Sequence, residues 1–243
     1  QPYVALAAWV LKRPARICYS RGESMRASTK RHPSDIRLSI GCDEKGEISG
    51  FVFDGVFNTG AYASWGPTVA NRVPIHACGP YKTTDYRAKS VAVHTNAPPA
   101  GAFRGFGVPQ SAIAQECAYD LLAEKVGMDR LAFRRRNALK NGVPTVTGQV
   151  FKSGVGIDEC FEALEECWQS ALLKAANFNE VAIKNGSPWR RGVGVASCWY
   201  GCGNTSLPNP STMRIGVTSS GVVVLHQGAM DIGQGANTVI TQI

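Results

Sequence analysis

The sequence is poor in histidine. It has four (His32, His76, His94 and His226), and no two of them stand three or four residues apart. A helix-borne metal site of the HExxH type, which needs two imidazoles on one helix face, is thereby excluded. The eight cysteines (Cys18, Cys42, Cys78, Cys117, Cys160, Cys167, Cys198 and Cys202) never fall in CxxC spacing, which excludes a zinc ribbon. A disulfide framework also fits a domain of this size poorly, so they read as reduced, half-buried thiols of a cytoplasmic protein. No uninterrupted apolar run approaches the roughly 18–20 residues of a membrane span, and no basic start with a small-residue cleavage site marks a signal peptide. No GxGxxG follows a strand pattern, no glycine loop carries the lysine of a P-loop, and no GxSxG elbow supports a Ser-His-Asp arrangement. Nicotinamide, ATP and serine-hydrolase chemistry are left without support.

What is present describes a soluble globular protein: 44% hydrophobic and 18% charged residues in a chain of 243. That length suits one sizeable core or two modest ones. The net charge of +8 gathers at Arg13 to Arg16, Arg26 to Arg31, Arg134 to Arg136 and Arg190 to Arg191. No nucleic-acid-binding motif accompanies these clusters, so solvated faces, a subunit contact or an anionic cofactor explain them better. The start at Gln1 and the end at Ile243, inside a helical pattern, read as an excised piece or a processed chain.

Apolar spacing predicts a helix over 2–12, ending before Pro14. Strands are expected at 15–20, 34–42 and 46–57, with Asp43-Glu44-Lys45-Gly46 as a hairpin turn. The segment from Asn58 to Pro80 reads as a loop and 87–94 as a further strand. Pro109 suits the first turn of the next helix, and Asp129 caps another, stopped by Asn141-Gly142. The polar stretch from Lys140 to Gly156 is the domain boundary, giving domains 1–145 and 146–243. Two amphipathic helices over 157–184 should follow, then strands at 192–199, 211–217 and 221–227 with Ser219-Ser220-Gly221 as a turn. A last helix starts near Gly233. The mixture lacks strict βαβ alternation and indicates an α+β fold.

Two segments carry the chemistry. In the loop Asn96 to Gly107, prolines stiffen the approach, and Gly101, Gly105 and Gly107 let backbone amides come near a ligand. Arg104 between them is a permanently charged fork of donors, and the following helix N-terminus favours anions. The same residues also suit a plain strand-to-helix connection with Arg104 in solvent. In the segment His226 to Thr238, Gln234 stands between Gly233 and Gly235, where its amide can donate and accept at a heterocycle edge; a simple turn is the other reading. A third stretch, Gly192 to Asn204, holds Cys198 and Cys202, which make half a metal site at best. It reads better as a buried strand ending in a glycine loop, and Asn204-Thr205-Ser206 fits a glycosylation sequon.

In this order, AGAFRGFGVPQ, FRRRNAL and GQGANT resemble the molybdenum hydroxylases, the xanthine dehydrogenase and aldehyde oxidoreductase family. Arg31-His32-Pro33 and the Asn71-Arg72 pair before Gly79-Pro80-Tyr81 extend the resemblance along the chain, and AFRGFG with MDIGQGANT looks closest to bacterial aldehyde oxidoreductases. The resemblance implies mixed sheets with packed helices, spanning parts of two molybdopterin-binding domains. It implies that Gly101, Ala102, Phe103, Arg104 and Gly105 lie beside the molybdenum, and that Gln234, with Gly233 and Gly235, bonds the pterin. Phe106 matches a substrate-pocket aromatic, Arg72 a substrate-site arginine, and Cys202 to Leu207 the substrate funnel.

The implied reaction hydroxylates aldehydes to carboxylic acids with water as the oxygen source, or purines and other N-heterocycles in related members. The implied cofactor is molybdenum-molybdopterin, as such or as the cytosine dinucleotide, with iron-sulfur clusters and FAD in other domains or subunits. Expected partners are the remaining parts of the molybdenum subunit, an iron-sulfur domain or subunit, a small aldehyde or heterocycle substrate and further copies of the parent enzyme. No nucleic acid and no membrane span are expected. The family's general-base glutamate and its FGGK-type loop have no counterpart here. The chain alone is therefore expected neither to hold the cofactor tightly nor to turn over substrate, and a non-catalytic assembly module is the reading from another class.

Overall fold

The computed structural model describes residues 2–201 and 210–243. The chain divides into two compact units, Gln1–Trp199 and Tyr200–Ile243. In the first, β1 (Ser34–Cys42) and β2 (Ile48–Gly60) form an antiparallel hairpin, and β2 pairs in parallel with β3 (Asp85–His94). A parallel pair needs a crossover, and here α3 (Gly66–His76) supplies it. The remaining helices are α1 (Pro2–Leu11), α2 (Arg21–Ala27), α4 (Val108–Lys125), α5 (Arg130–Asn137) and α6 (Ile157–Lys184). The second unit holds the hairpin of β4 (Arg214–Val217) and β5 (Val223–His226), followed by α7 (Ala236–Gln242). Helices beside one mixed and one antiparallel sheet make the fold α+β.

Side chains alternate across the sheet, as strand geometry requires. Ile36, Leu38 and Ile40 of β1, Phe51, Phe53 and Phe57 of β2, and Tyr86, Ala88 and Ala92 of β3 turn inward to one core. Val69 and Val73 of α3, Tyr119 and Ala123 of α4 and Leu131 and Phe133 of α5 complete it. Asn137 closes α5 against the hairpin. Its Oδ1 accepts from Ile48 N (2.8 Å) and its Nδ2 donates to Gly46 O (2.8 Å) and Phe133 O (2.9 Å).

Several expectations are corrected. Residues 15–20 form no strand; Ser20 instead opens α2 through a capping box with Glu23. The expected loop 58–80 contains α3, whose first turn takes Pro67 and whose interior tolerates Pro74. Residues 157–184 are one continuous helix, and α5 ends at Asn137, before Asn141-Gly142. Residues 192–199 pair with no strand, although Val193, Val195, Ser197 and Trp199 are half-buried at every second position. The last helix starts at Ala236 instead of Gly233. Of the seven described cysteines, all free, only Cys78 is buried and Cys42 half-buried; the other five are exposed. The basic cluster Arg134 to Arg136 is also not uniformly solvated. The Arg134 side chain is 0% exposed, with Nε 2.7 Å from Glu116 Oε2 and Nη1 2.8 Å from Asp120 Oδ1. Glu116 in turn accepts from the Tyr81 hydroxyl at 2.9 Å. Arg134 is thus an internal cross-link of α4 and α5, while Arg135 pairs with Asp158 and Glu165 at the surface.

Candidate functional site

The loop after β3 is built in two parts. Its first part is bonded to its neighbours along the main chain. Ala61 N donates to Ala97 O (3.1 Å), Ala100 N to Thr59 O (2.9 Å), Lys30 N to Pro99 O (3.2 Å) and Gly101 N to Lys30 O (3.0 Å). Gly101 is buried at the end of this ladder. A Cβ there would lie 2.6 Å from both Ser64 Oγ and Thr29 Cγ2, so any larger residue would have to displace these two side chains.

The second part emerges. Ala102, Phe103 and Arg104 are exposed, and the chain then turns through Phe106 N to Phe103 O (2.7 Å) and Val108 N to Gly105 O (2.9 Å). Gly105, Phe106 and Gly107 have φ of 90°, 44° and 98°. Phe106 in the left-handed region is a costly placement for a bulky residue. Its ring packs edge-on to Trp65 with centroids 6.2 Å apart. Gly107 sits on α3: a Cβ there would lie 2.5 Å from Val73 Cγ2. Arg72, half-buried, is the neighbour of Val73 on that helix, and its carbonyl bonds His76 Nδ1 at 3.1 Å. The structure thus gathers the loop Gly101 to Gly107 and the helix bearing Arg72 into one body.

Among the described residues, the N–H groups of Ala102, Phe103 and Gly105 have no protein acceptor. Unpaired donors on an exposed loop, beside the start of the 18-residue α4, suit an anionic, oxygen-rich group. The underside of the loop is held by Arg31, which sequence reasoning placed in a basic cluster and in the Arg31-His32-Pro33 segment but gave no role at the site. Arg31 Nη2 donates to Arg104 O at 2.6 Å, its Nη1 lies 3.4 Å from Gln110 Oε1, and its guanidinium lies 4.7 Å from the centre of the Phe103 ring. Gln110 is buried and donates from Nε2 to His32 O at 3.2 Å. Arg31-His32-Pro33 and the VPQ end of the loop motif were each visible in the sequence, but their meeting was not. His32 is 2% exposed, and burial holds its pKa below the ordinary value.

In the second unit, Gln234 is already engaged within its own loop. Its Nε2 donates to Met230 O (2.8 Å) and its Oε1 accepts from Ile232 N (2.6 Å). Asp231, which sequence reasoning passed over, accepts from Gly233 N (2.7 Å) and Asn237 N (3.3 Å), bracing the start of α7. Gly233 and Gly235 have φ of 99° and 79°. Each amide atom of Gln234 keeps further bonding capacity, one hydrogen on Nε2 and one lone pair on Oε1. The expected funnel segment Cys202 to Leu207, with the sequon, lies outside the described residues.

Cys198 is exposed and Cys78 is buried, with its thiol pushed up to about 12 by burial. Among the described residues no cluster of three or more His, Cys, Asp or Glu side chains could hold a metal ion. What the first loop offers instead is backbone donors, which fit a metal carried on an anionic organic ligand. Among the described residues no helix is long and apolar enough to cross a membrane.

Comparison with known proteins agrees with this chemistry. Residues 1–138 and 165–243 each match a family described as a molybdopterin cofactor-binding domain. The nicotinate dehydrogenase large molybdopterin subunit of Eubacterium barkeri is 39% identical over 68% of this chain and 39% of its own length. The xanthine dehydrogenase molybdenum-binding subunit of Escherichia coli O157:H7 is 33% identical over 95% of this chain and 30% of its own. The chain therefore spans about a third of the length of these curated relatives. The solved aldehyde oxidoreductase of Desulfovibrio gigas has a TM-score of 0.65 and 31% identity, over 72% of this chain and 19% of that one. The chain belongs to the molybdenum hydroxylase family, within which it covers parts of two molybdopterin cofactor-binding domains.

Proposed function

We propose that this chain is part of a molybdenum-pterin oxidoreductase that hydroxylates aldehydes to carboxylic acids, with water as the oxygen source. The observation that carries the reading is the set of N–H groups at Ala102, Phe103 and Gly105 that have no acceptor among the described residues, presented next to a helix N-terminus. The bound molybdenum-pterin group would supply the redox chemistry. The chain's own residues bind and orient. Gly101 to Gly105 contact the cofactor through the main chain, Phe106 contributes an aromatic wall to the substrate pocket, and Arg72 contributes charge toward the substrate. Gly233, Gln234 and Gly235 are the cofactor-binding residues of the second unit, through the remaining capacity of the Gln234 amide.

The glutamate that serves as general base belongs to the rest of the parent protein, and so do iron-sulfur clusters and FAD in other domains or subunits. The pterin is bound as such or as the cytosine dinucleotide, the parent is a cytoplasmic homo-oligomer, and the boundary between the two cofactor-binding domains lies at residues 145–146. The interval between the two family matches, 138 to 165, supports that boundary.

A second reading, hydroxylation of an N-heterocycle, is favoured by the 39% identity to a nicotinate dehydrogenase subunit. Turnover by the full-length parent on parallel panels of aldehydes, purines and pyridine carboxylates separates the two. Oxidation of aldehydes over heterocycles is expected. Turnover of purines or nicotinate alone would replace the first reading by the second, and a parent without molybdenum would remove both in favour of an assembly module.

A further inference from the structure

We infer that Arg31 is the positioning residue that aims the loop's backbone donors, an inference that rests on reading the Ala102–Gly105 loop as a cofactor contact. The argument begins with the peptide between Arg104 and Gly105. In a planar trans peptide the C=O and N–H point in opposite directions. Arg31 Nη2 holds the Arg104 carbonyl at 2.6 Å, so the Gly105 N–H is directed away from Arg31, where it meets no acceptor among the described residues. The turn bond from Phe106 N to Phe103 O brackets this peptide on both sides but leaves its own C=O and N–H unengaged. Gly105, at φ 90°, is the residue type that accepts either orientation of the peptide preceding it, so without a grip on the carbonyl the unit is free to flip.

Arg31 has the contacts to make that grip directional. One arm reaches Arg104 O, the other approaches Gln110 Oε1 at 3.4 Å, and the guanidinium plane lies near Phe103 at 4.7 Å. Gln110 is fixed in turn through His32 O and lies in the first turn of α4. The loop is therefore held from the exposed Phe103 ring to the start of the helix by one planar fork. A lysine, with a compact ammonium and no fork, reproduces the charge but not the three-point hold.

The test uses the full-length, cofactor-loaded parent with Arg31→Gln, Arg31→Lys and Gln110→Ala. Hydrogen–deuterium exchange of the peptide spanning 102–107 reads the loop without reference to activity. It is expected to speed up about tenfold in Arg31→Gln, the scale of losing a hydrogen bond from a charged donor. The molybdenum electron paramagnetic resonance spectrum is expected to change, and kcat to fall while KM stays close to wild type. Arg31→Lys should recover only part of each. Wild-type exchange and spectrum in Arg31→Gln would overturn the inference, as would full recovery by Arg31→Lys, since charge alone would then suffice. If Arg31→Gln lowers the melting temperature of the whole protein, Gln110→Ala decides: faster exchange confined to 102–107 supports the inference and unchanged exchange refutes it. A wild-type parent without molybdenum would instead sink the cofactor reading, while the exchange comparison would still decide what Arg31 does.

Discussion

Replacing Glu116 by glutamine preserves the side chain's shape and one acceptor for Tyr81 while removing the charge that faces Arg134. The arginine side chain is 0% exposed and the glutamate 8%, with Nε and Oε2 2.7 Å apart. Burial works against the charge on Arg134; Glu116 leads the opposing influences, and the net effect raises its pKa. Removing one partner of a buried pair costs about 3–5 kcal/mol, because the other charge stays in place uncompensated. Asp120 remains 2.8 Å from Nη1 and is 28% exposed, so part of the compensation survives and about 3 kcal/mol is expected. For a cooperative unit of this size, about 2–4 °C per kcal/mol converts that to a fall of about 6–12 °C in melting temperature. Calorimetry of the full-length protein measures it. The double variant Arg134→Met/Glu116→Gln should melt higher than Glu116→Gln alone, since no fully buried charge then remains and Asp120, 28% exposed, keeps Arg130 at 3.9 Å. A loss below about 1 kcal/mol, the value of an exposed pair, would show that Arg134 reaches water and refute the reasoning.

Asn137→Ala removes three buried hydrogen bonds and leaves Ile48 N and Gly46 O without partners; a loss of about 2–4 kcal/mol is expected in urea unfolding. His32 and His76 are both held below their ordinary pKa of 6.5, chiefly by burial. The unfolded chain therefore takes up these protons first as pH falls. Their contribution to stability is complete above 6.5 and is lost as the pH drops from there through the folded-state values. Melting temperature should decline on acidification below that point, and His32→Gln should flatten the slope; an unchanged slope in that variant would remove His32 from the account.

The elements that were legible in the sequence are those in which local chemistry and burial agree. The alternation in β1, the turn at Asp43 to Gly46, Pro109 at the start of α4 and Asp129, whose Oδ1 accepts from Leu131 N and Ala132 N, all act within a few residues. The failures have physical causes of longer range. Residues 192–199 have the period of a strand because one side rests on the core; Ser197 Oγ lies 2.6 Å from the Tyr81 hydroxyl and Trp199 Nε1 3.4 Å from His76 O. A strand also needs a hydrogen-bonded neighbour, which periodicity cannot report. α3 was hidden by its glycine and prolines, although its packing on β2 and β3 sustains it. Arg134 looks like its neighbours in a run of three arginines, and only its register on α5 sends it inward. At the candidate site the motif pointed to the loop, whereas Arg31 and Gln110 are 79 residues apart and their joint grip on the loop required the fold.

The most direct test of the central claim is molybdenum and pterin content of the full-length protein, wild type against Gly101→Val. A side chain at Gly101 meets Ser64 and Thr29 at 2.6 Å, whereas Gly192 has nothing within 4 Å, so Gly192→Val serves as the control. The account predicts stoichiometric molybdenum in the wild type and in Gly192→Val, and a marked loss in Gly101→Val with the protein still folded. No molybdenum in the wild type, or full content with an unaltered metal spectrum in Gly101→Val, would contradict it.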